Sequence, residues 1–151
     1  VVIDSHRSVS TTLAYVLMFG VATILVGGLI IAGGNFVQDQ RSQVIRTELG
    51  VVGQQLAADV ASADRLVAAS DGTPTVNITR QRPGLVAGSG YRVTLVATED
   101  PYLELRSTRP EVSVTVALSN RTALGNSSAW GGDISIRYDK LDEELVIDNA
   151  S

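Results

Sequence analysis

Three patterns of apolar and polar positions follow one another along the chain. Between Ser8 and Gln38 no charged residue occurs, and residues 9–37 form an apolar run of about 29 residues. Past Gln38 the run becomes an amphipathic stripe. Val44/Ile45, Leu49, Val52, Leu56, Val60, Ala63 and Leu66/Val67 recur at three- and four-residue steps, as on a helix buried along one side. Arg41, Gln43, Arg46, Glu48, Gln54, Gln55, Asp59, Asp64 and Arg65 fall between them and are expected to face water. From Thr73 onward the period is two. Val76/Ile78, Val93/Leu95/Ala97, Leu103/Leu105, Val112/Val114/Val116/Leu118, Ile134/Ile136/Tyr138 and the run 145–147 predict six short strands, each with one wet face.

The apolar run predicts a membrane helix. As a helix it would extend ~43 Å, and about 20 residues suffice to cross a hydrocarbon core. Lipid offers the backbone no hydrogen bonds, so a spanning segment satisfies them internally. A secretory signal has an apolar region of about 7–15 residues ending in a cleavage site; here the run is longer and helical periodicity continues past it. The simplest reading is one helix from about residue 9 to about residue 69, ~90 Å long, ended near Gly72. Gly33, Gly34 and Asn35 leave a break open. Gly20, Gly27, Gly28, Gly33 and Gly34 lie inside the run, and Gly28 with Ala32 forms a small-xxx-small pair suited to close helix packing in lipid. The expected divisions are 1–8, a leader or cytoplasmic flank; 9–37, the transmembrane or assembly helix; 38–70, its amphipathic continuation; and 73–151, an extracellular β domain. The fold class is α+β, a long N-terminal helix packed on a small antiparallel sheet or sandwich. Turns are expected at 82–84, 88–90, 99–101, 109–110 and 139–142. The polar stretch 119–132 is the longest connection and the best candidate for an exposed contact loop.

Composition narrows the chemistry. The formal charge of −4 argues against nucleic-acid binding. The chain has no Cys, which excludes disulfides and thiol chemistry. Its one His, His6, precedes the membrane run, so no catalytic set built on His can form in the β domain. The acidic pairs at 99–100, 139/142 and 143–144 read as solvated turns. Calcium at 139–144 would lack the spacing of an EF-hand. Gly88-Ser89-Gly90 precedes a strand, not a helix, and is no phosphate loop. Trp130 is expected as a core plug. No catalytic residue, metal ligand or cofactor is expected, and the chain is not read as an enzyme. Sequons for N-glycosylation occur at Asn77, Asn120, Asn126 and Asn149, all after the membrane run. Asn120 and Asn126 stand out as acceptors, and Asn149 falls in an expected tail. Arg7 on one flank against Arg41 and Arg46 on the other would place the C-terminal side in the cytoplasm. The sequons place it outside, and they outweigh a comparison of three charges.

A short charged leader, a small residue, an uncharged helix, an amphipathic continuation and a β head together resemble the type IV pilin-like proteins. The anchor RSVSTTLAYVLMFGVATILVGGLIIAGG is particularly similar to haloarchaeal pilin-like proteins, and the likeness covers about residues 6–69. It implies cleavage by a prepilin peptidase after a basic and a small residue, here Arg7 and Ser8, with Val9 as the new terminus. Ser8 stands where Gly or Ala is expected. Leu13 stands where many bacterial pilins carry Glu, which archaeal relatives often lack. The resemblance further implies a structural subunit of an extracellular filament, cell-surface and adhesive, that sits in the membrane before an assembly machinery packs it against copies of itself. The residues expected to carry that packing are Val9, Leu13, Val16, Leu17, Phe19, Ile24, Leu25, Leu29, Ile30 and Phe36, with Gly27 and Gly28 permitting close approach. The alternative is a single-pass anchored surface or secretion-system protein that uses its β head as a binding module.

Overall fold

The computed structural model describes residues 4–70 and 75–150, with side chains from residue 11 onward. By its internal contacts the chain divides into two compact units, Val1–Gln40 and Arg41–Ser151. Helix α1 spans Asp4–Ala68, 65 residues, and runs unbroken through Gly33, Gly34 and Asn35. Its last turn closes with the Ala69 amide donating to the Arg65 carbonyl and the Ser70 amide to Val67. The expected terminator Gly72 lies outside the described residues.

In the second unit the stripe on α1 becomes the spine of the core. Ile45, Leu49, Val52, Leu56, Val60 and Ala63 are all buried. Where two neighbours competed for one place, packing chose between them: Ile45 is buried and Val44 exposed, while Val67 packs on the core and Leu66 is exposed. Gly53 lets the helix approach the sheet closely. A Cβ there would stand 2.8 Å from Val116 Cγ2 and 2.9 Å from Leu105 Cδ1, inside normal contact.

Among the described residues nine strands follow: β1 (Asn77–Arg80), β2 (Leu85–Val86), β3 (Ser89–Val96), β4 (Tyr102–Ser107), β5 (Ser113–Ala117), β6 (Ala123–Leu124), β7 (Ser127–Trp130), β8 (Ile134–Asp139) and β9 (Glu144–Asn149). One sheet has the order β1-β8-β9-β6; the other runs β2-β3-β4-β5, with β7 also paired to β3. The ladders are antiparallel except β6 on β9, which is parallel. Alternation sends Val93, Leu95, Leu103, Leu105, Val116, Ile134, Ile136, Leu145 and Ile147 into one continuous core with the helix stripe. The fold is thus α+β, a long N-terminal helix packed with curled, largely antiparallel sheets.

Three expectations of the sequence reading are corrected. The stretch 119–132 is not an open loop: it contains β6 and β7 and buries Leu124 and Ala129. Trp130 is not a core plug. It is half exposed, and the Arg92 guanidinium lies over its ring at 4.1 Å. The place expected of it belongs to Tyr91, fully buried, whose hydroxyl donates to the Pro83 carbonyl at 2.8 Å. Gly131 makes room for the Tyr91 ring, which a Cβ at that position would overlap. Asp64 does not face water either; it is buried against the segment that follows β5.

Candidate functional site

The first candidate is the apolar half of α1. From Leu13 to Val37 its large side chains are 54–77 % exposed. Among the described residues α1 is the one helix long and apolar enough to cross a membrane, and its most apolar window is wholly uncovered. Burying such a side chain is worth about 1.5–3 kcal/mol, so this surface withholds stabilisation on the order of tens of kcal/mol. A water-exposed patch of that size marks a membrane or association surface. Leu13, Val16, Leu17, Phe19, Ile24, Leu25, Leu29, Ile30 and Phe36 all lie on it. Gly20, Gly27 and Gly34 recur at seven-residue steps, and none of the five glycines has a neighbour within 4 Å of the place a Cβ would take. The backbone of Arg7, Ser8 and Val9 belongs to the start of α1; their side chains lie outside the described residues.

The second candidate is the surface of the head. The four sequons differ sharply in geometry. Asn77 is exposed on β1, an edge strand, and its amide oxygen accepts from the Ser135 hydroxyl at 2.6 Å. Asn126 is exposed between β6 and β7, its oxygen accepting from the Ala97 amide at 2.8 Å. Asn120 is half-buried and donates its amide to the Thr122 carbonyl at 2.5 Å. Asn149, expected in a tail, instead ends β9 and clamps the Trp130 backbone. Its oxygen accepts from the Trp130 amide at 3.0 Å, and its nitrogen donates to the Trp130 carbonyl at 2.9 Å. That clamp helps join the two sheets, together with the Ile147 amide donating to Ser127 Oγ at 3.0 Å.

Two charged clusters tie α1 to the head. The Asp64 carboxylate receives the Arg121 amide on both oxygens at 3.1 Å and the Thr122 amide at 2.7 Å. Burial pushes its pKa up, but these bonds and the nearby Arg121 charge outweigh burial and hold it below the ordinary 3.8. Arg82 binds Gln55 at 2.5 Å and also Asp59, which Arg80 approaches at 3.5 Å. Both clusters are structural.

On the outer face of the second sheet, Arg92, Thr94, Glu104, Arg106, Glu111 and Trp130 line an open cleft of about 360 Å³. Arg92 and Arg106 stand directly opposite one another across β3 and β4. Like charges in such a pair repel. Stacking on Trp130 and pairing with Glu111 offset the repulsion on each side. Among the described residues no group of three or more His, Asp or Glu is placed to hold a metal ion.

These features define an α+β protein whose N-terminal helix is compatible with membrane insertion and whose head is fastened to the second half of that helix. The chain belongs to a family of unknown function, DUF7266, which it matches over residues 4–148. No curated protein and no solved structure matches it.

Proposed function

We propose that the chain is a structural subunit of a type IV pilin-like filament, held in the membrane through residues 9–37 before assembly and packed through them against copies of itself afterwards. The observation that carries this reading is the contrast within α1: the stripe of its second half is buried under the chain's own sheets, while the large side chains from Leu13 to Val37 are exposed. Lipid covers that half of a single subunit; outside the bilayer, only other apolar helices can replace lipid around it. The seven-residue glycine spacing supports close helix packing. The head would then face the exterior and serve adhesion or surface attachment.

Electron microscopy of cells expressing the full chain, with helical reconstruction, tests the proposal. Filaments whose core is built from residues 9–37 are the expected result. Mass spectrometry of the mature protein is expected to find Val9 at the N-terminus. A stable membrane protein that keeps residues 1–8 and forms no filament would overturn it. A second reading, a single anchored copy with a binding head, is favoured by the half-exposed Trp130 beside the Arg92 and Arg106 cleft.

A further inference from the structure

We propose that Asn77 is the principal N-glycosylation site of this chain and that its first sugar seats in the polar cleft beside it. The inference rests on the reading that the head is exported, because transfer requires a glycosylating membrane face.

The sequon Asn77-Ile78-Thr79 occupies β1, whose one sheet neighbour is β8. Among the described residues β1 is an edge strand, and the Asn77 side chain is exposed. Ser135 holds the amide oxygen of Asn77, fixing the plane of the side chain, while the amide nitrogen has no partner among the described residues. Asn77 also borders a cleft of about 340 Å³, which Thr79, Ser135, Arg137, Asp148 and Asn149 help to line. Hydroxyls, a guanidinium and a carboxylate on one surface supply both donors and acceptors. That mixture suits a hydroxyl-rich sugar and gives little to an apolar ligand. The volume falls in the range of small-molecule sites, about 300–1,000 Å³.

The other sequons rank below it on the same criterion. Asn126 shares an exposed position and an uncommitted nitrogen, so it is the second acceptor. Asn120 has its nitrogen bound to a backbone carbonyl. Asn149 has both amide atoms engaged on Trp130, and a glycan there would disturb the join between the sheets.

The transfer itself joins the Asn77 side-chain nitrogen to the anomeric carbon of a lipid-carried glycosyl phosphate. The carbon–oxygen bond to phosphate breaks, the phosphate leaves with the electron pair, and one amide proton passes to a base of the transferase. The product remains a neutral amide with one N–H.

Glycopeptide mass spectrometry on the full chain, expressed in cells with a membrane N-glycosylation system, is the test. Occupancy is expected to be highest at Asn77, lower at Asn126 and absent at Asn149. Thr79→Ala is expected to abolish the Asn77 glycan while leaving Asn77 and its Ser135 bond in place; Thr79→Ser is expected to retain it. Slower amide hydrogen exchange across 135–137 in the glycosylated chain than in Thr79→Ala would support the seated sugar, and equal exchange would refute the seating. A bare Asn77, whether or not another sequon is modified, overturns the site assignment. Filaments built from chains with bare Asn77 sink this inference alone. Glycosylated Asn77 on a chain that never leaves the bilayer sinks the filament reading alone.

Discussion

Residues 11–37 and 45–67 belong to the same helix and are both rich in Val, Leu and Ile, yet their surroundings are opposite. In the first, large side chains at every helical angle stay exposed. In the second, apolar residues hold one stripe and the chain's own strands cover it. The first segment is uncharged and apolar at every helical angle, whereas the second intersperses charges and gathers its apolar residues on one side. A helix apolar all round cannot be satisfied by a sheet on one side and requires lipid or a ring of other helices. A helix with a single stripe needs one covering layer, and the strands between Asn77 and Asn149 supply it.

The largest way to break this comparison is to remove its first member. Deleting residues 1–40 is expected to move the protein entirely from the membrane fraction to the soluble one while the β-sheet circular-dichroism signal persists, since Arg41–Ser151 forms its own compact unit. Loss of folded structure would show instead that the two halves depend on one another. A matched pair of truncations comes next. Leu56→Ala in the covered half is expected to destabilise the head by about 2–5 kcal/mol in a thermal or denaturant melt. Leu25→Ala in the uncovered half is expected to move that melt by no more than about 0.5 kcal/mol.

Smaller effects sharpen the contrast. Gly53→Ala forces a methyl group toward Val116 and Leu105 and is expected to cost about 1–3 kcal/mol of head stability. Gly27→Ala meets open space, so the same melt is expected to stay unchanged. The smallest effect depends on pH. The Asp64 pKa is lower in the folded head than in the unfolded chain, so its contribution is complete above the ordinary 3.8 and lost as pH falls through the folded value. Stability measured from pH 6 down to pH 2 should therefore fall more steeply below about pH 4 for the native chain than for Asp64→Asn. Equal slopes would show that the carboxylate charge contributes nothing to the fastening.

Much of this architecture was legible in the residues. The helix, its change from all-round apolar to striped, and the runs that became β1, β3, β4, β5, β8 and β9 all rest on periodicity, which needs only a few repeats to stand out. The strands β2 and β6, two residues each, are too short to display a period of two, and β7 (Ser-Ser-Ala-Trp) buries only Ala129, so no apolar alternation marks it. They form because neighbours offer partners: β3 pairs with β2 and β7, and β9 receives β6. Polarity also misled at Asp64. A carboxylate between apolar helix positions reads as solvated, and only the fold brings the Arg121 and Thr122 amides to it from 57 and 58 residues away. The sequence ranked the four sequons by expected exposure, Asn120 and Asn126 ahead of Asn149; which nitrogen is free was not visible in it.

The chain's order of residues by itself determined that a long helix carries an uncharged apolar segment followed by a one-sided stripe and a β domain, because these follow from local periodicity and from the cost of hydrating apolar surface. The tertiary structure decided which of Val44 and Ile45 enters the core, where Trp130 and Tyr91 go, and which Asn keeps its amide nitrogen free. Those outcomes depend on groups distant in sequence competing for the same space and the same hydrogen bonds. Such competition is settled only when the strands and the helix close on one another.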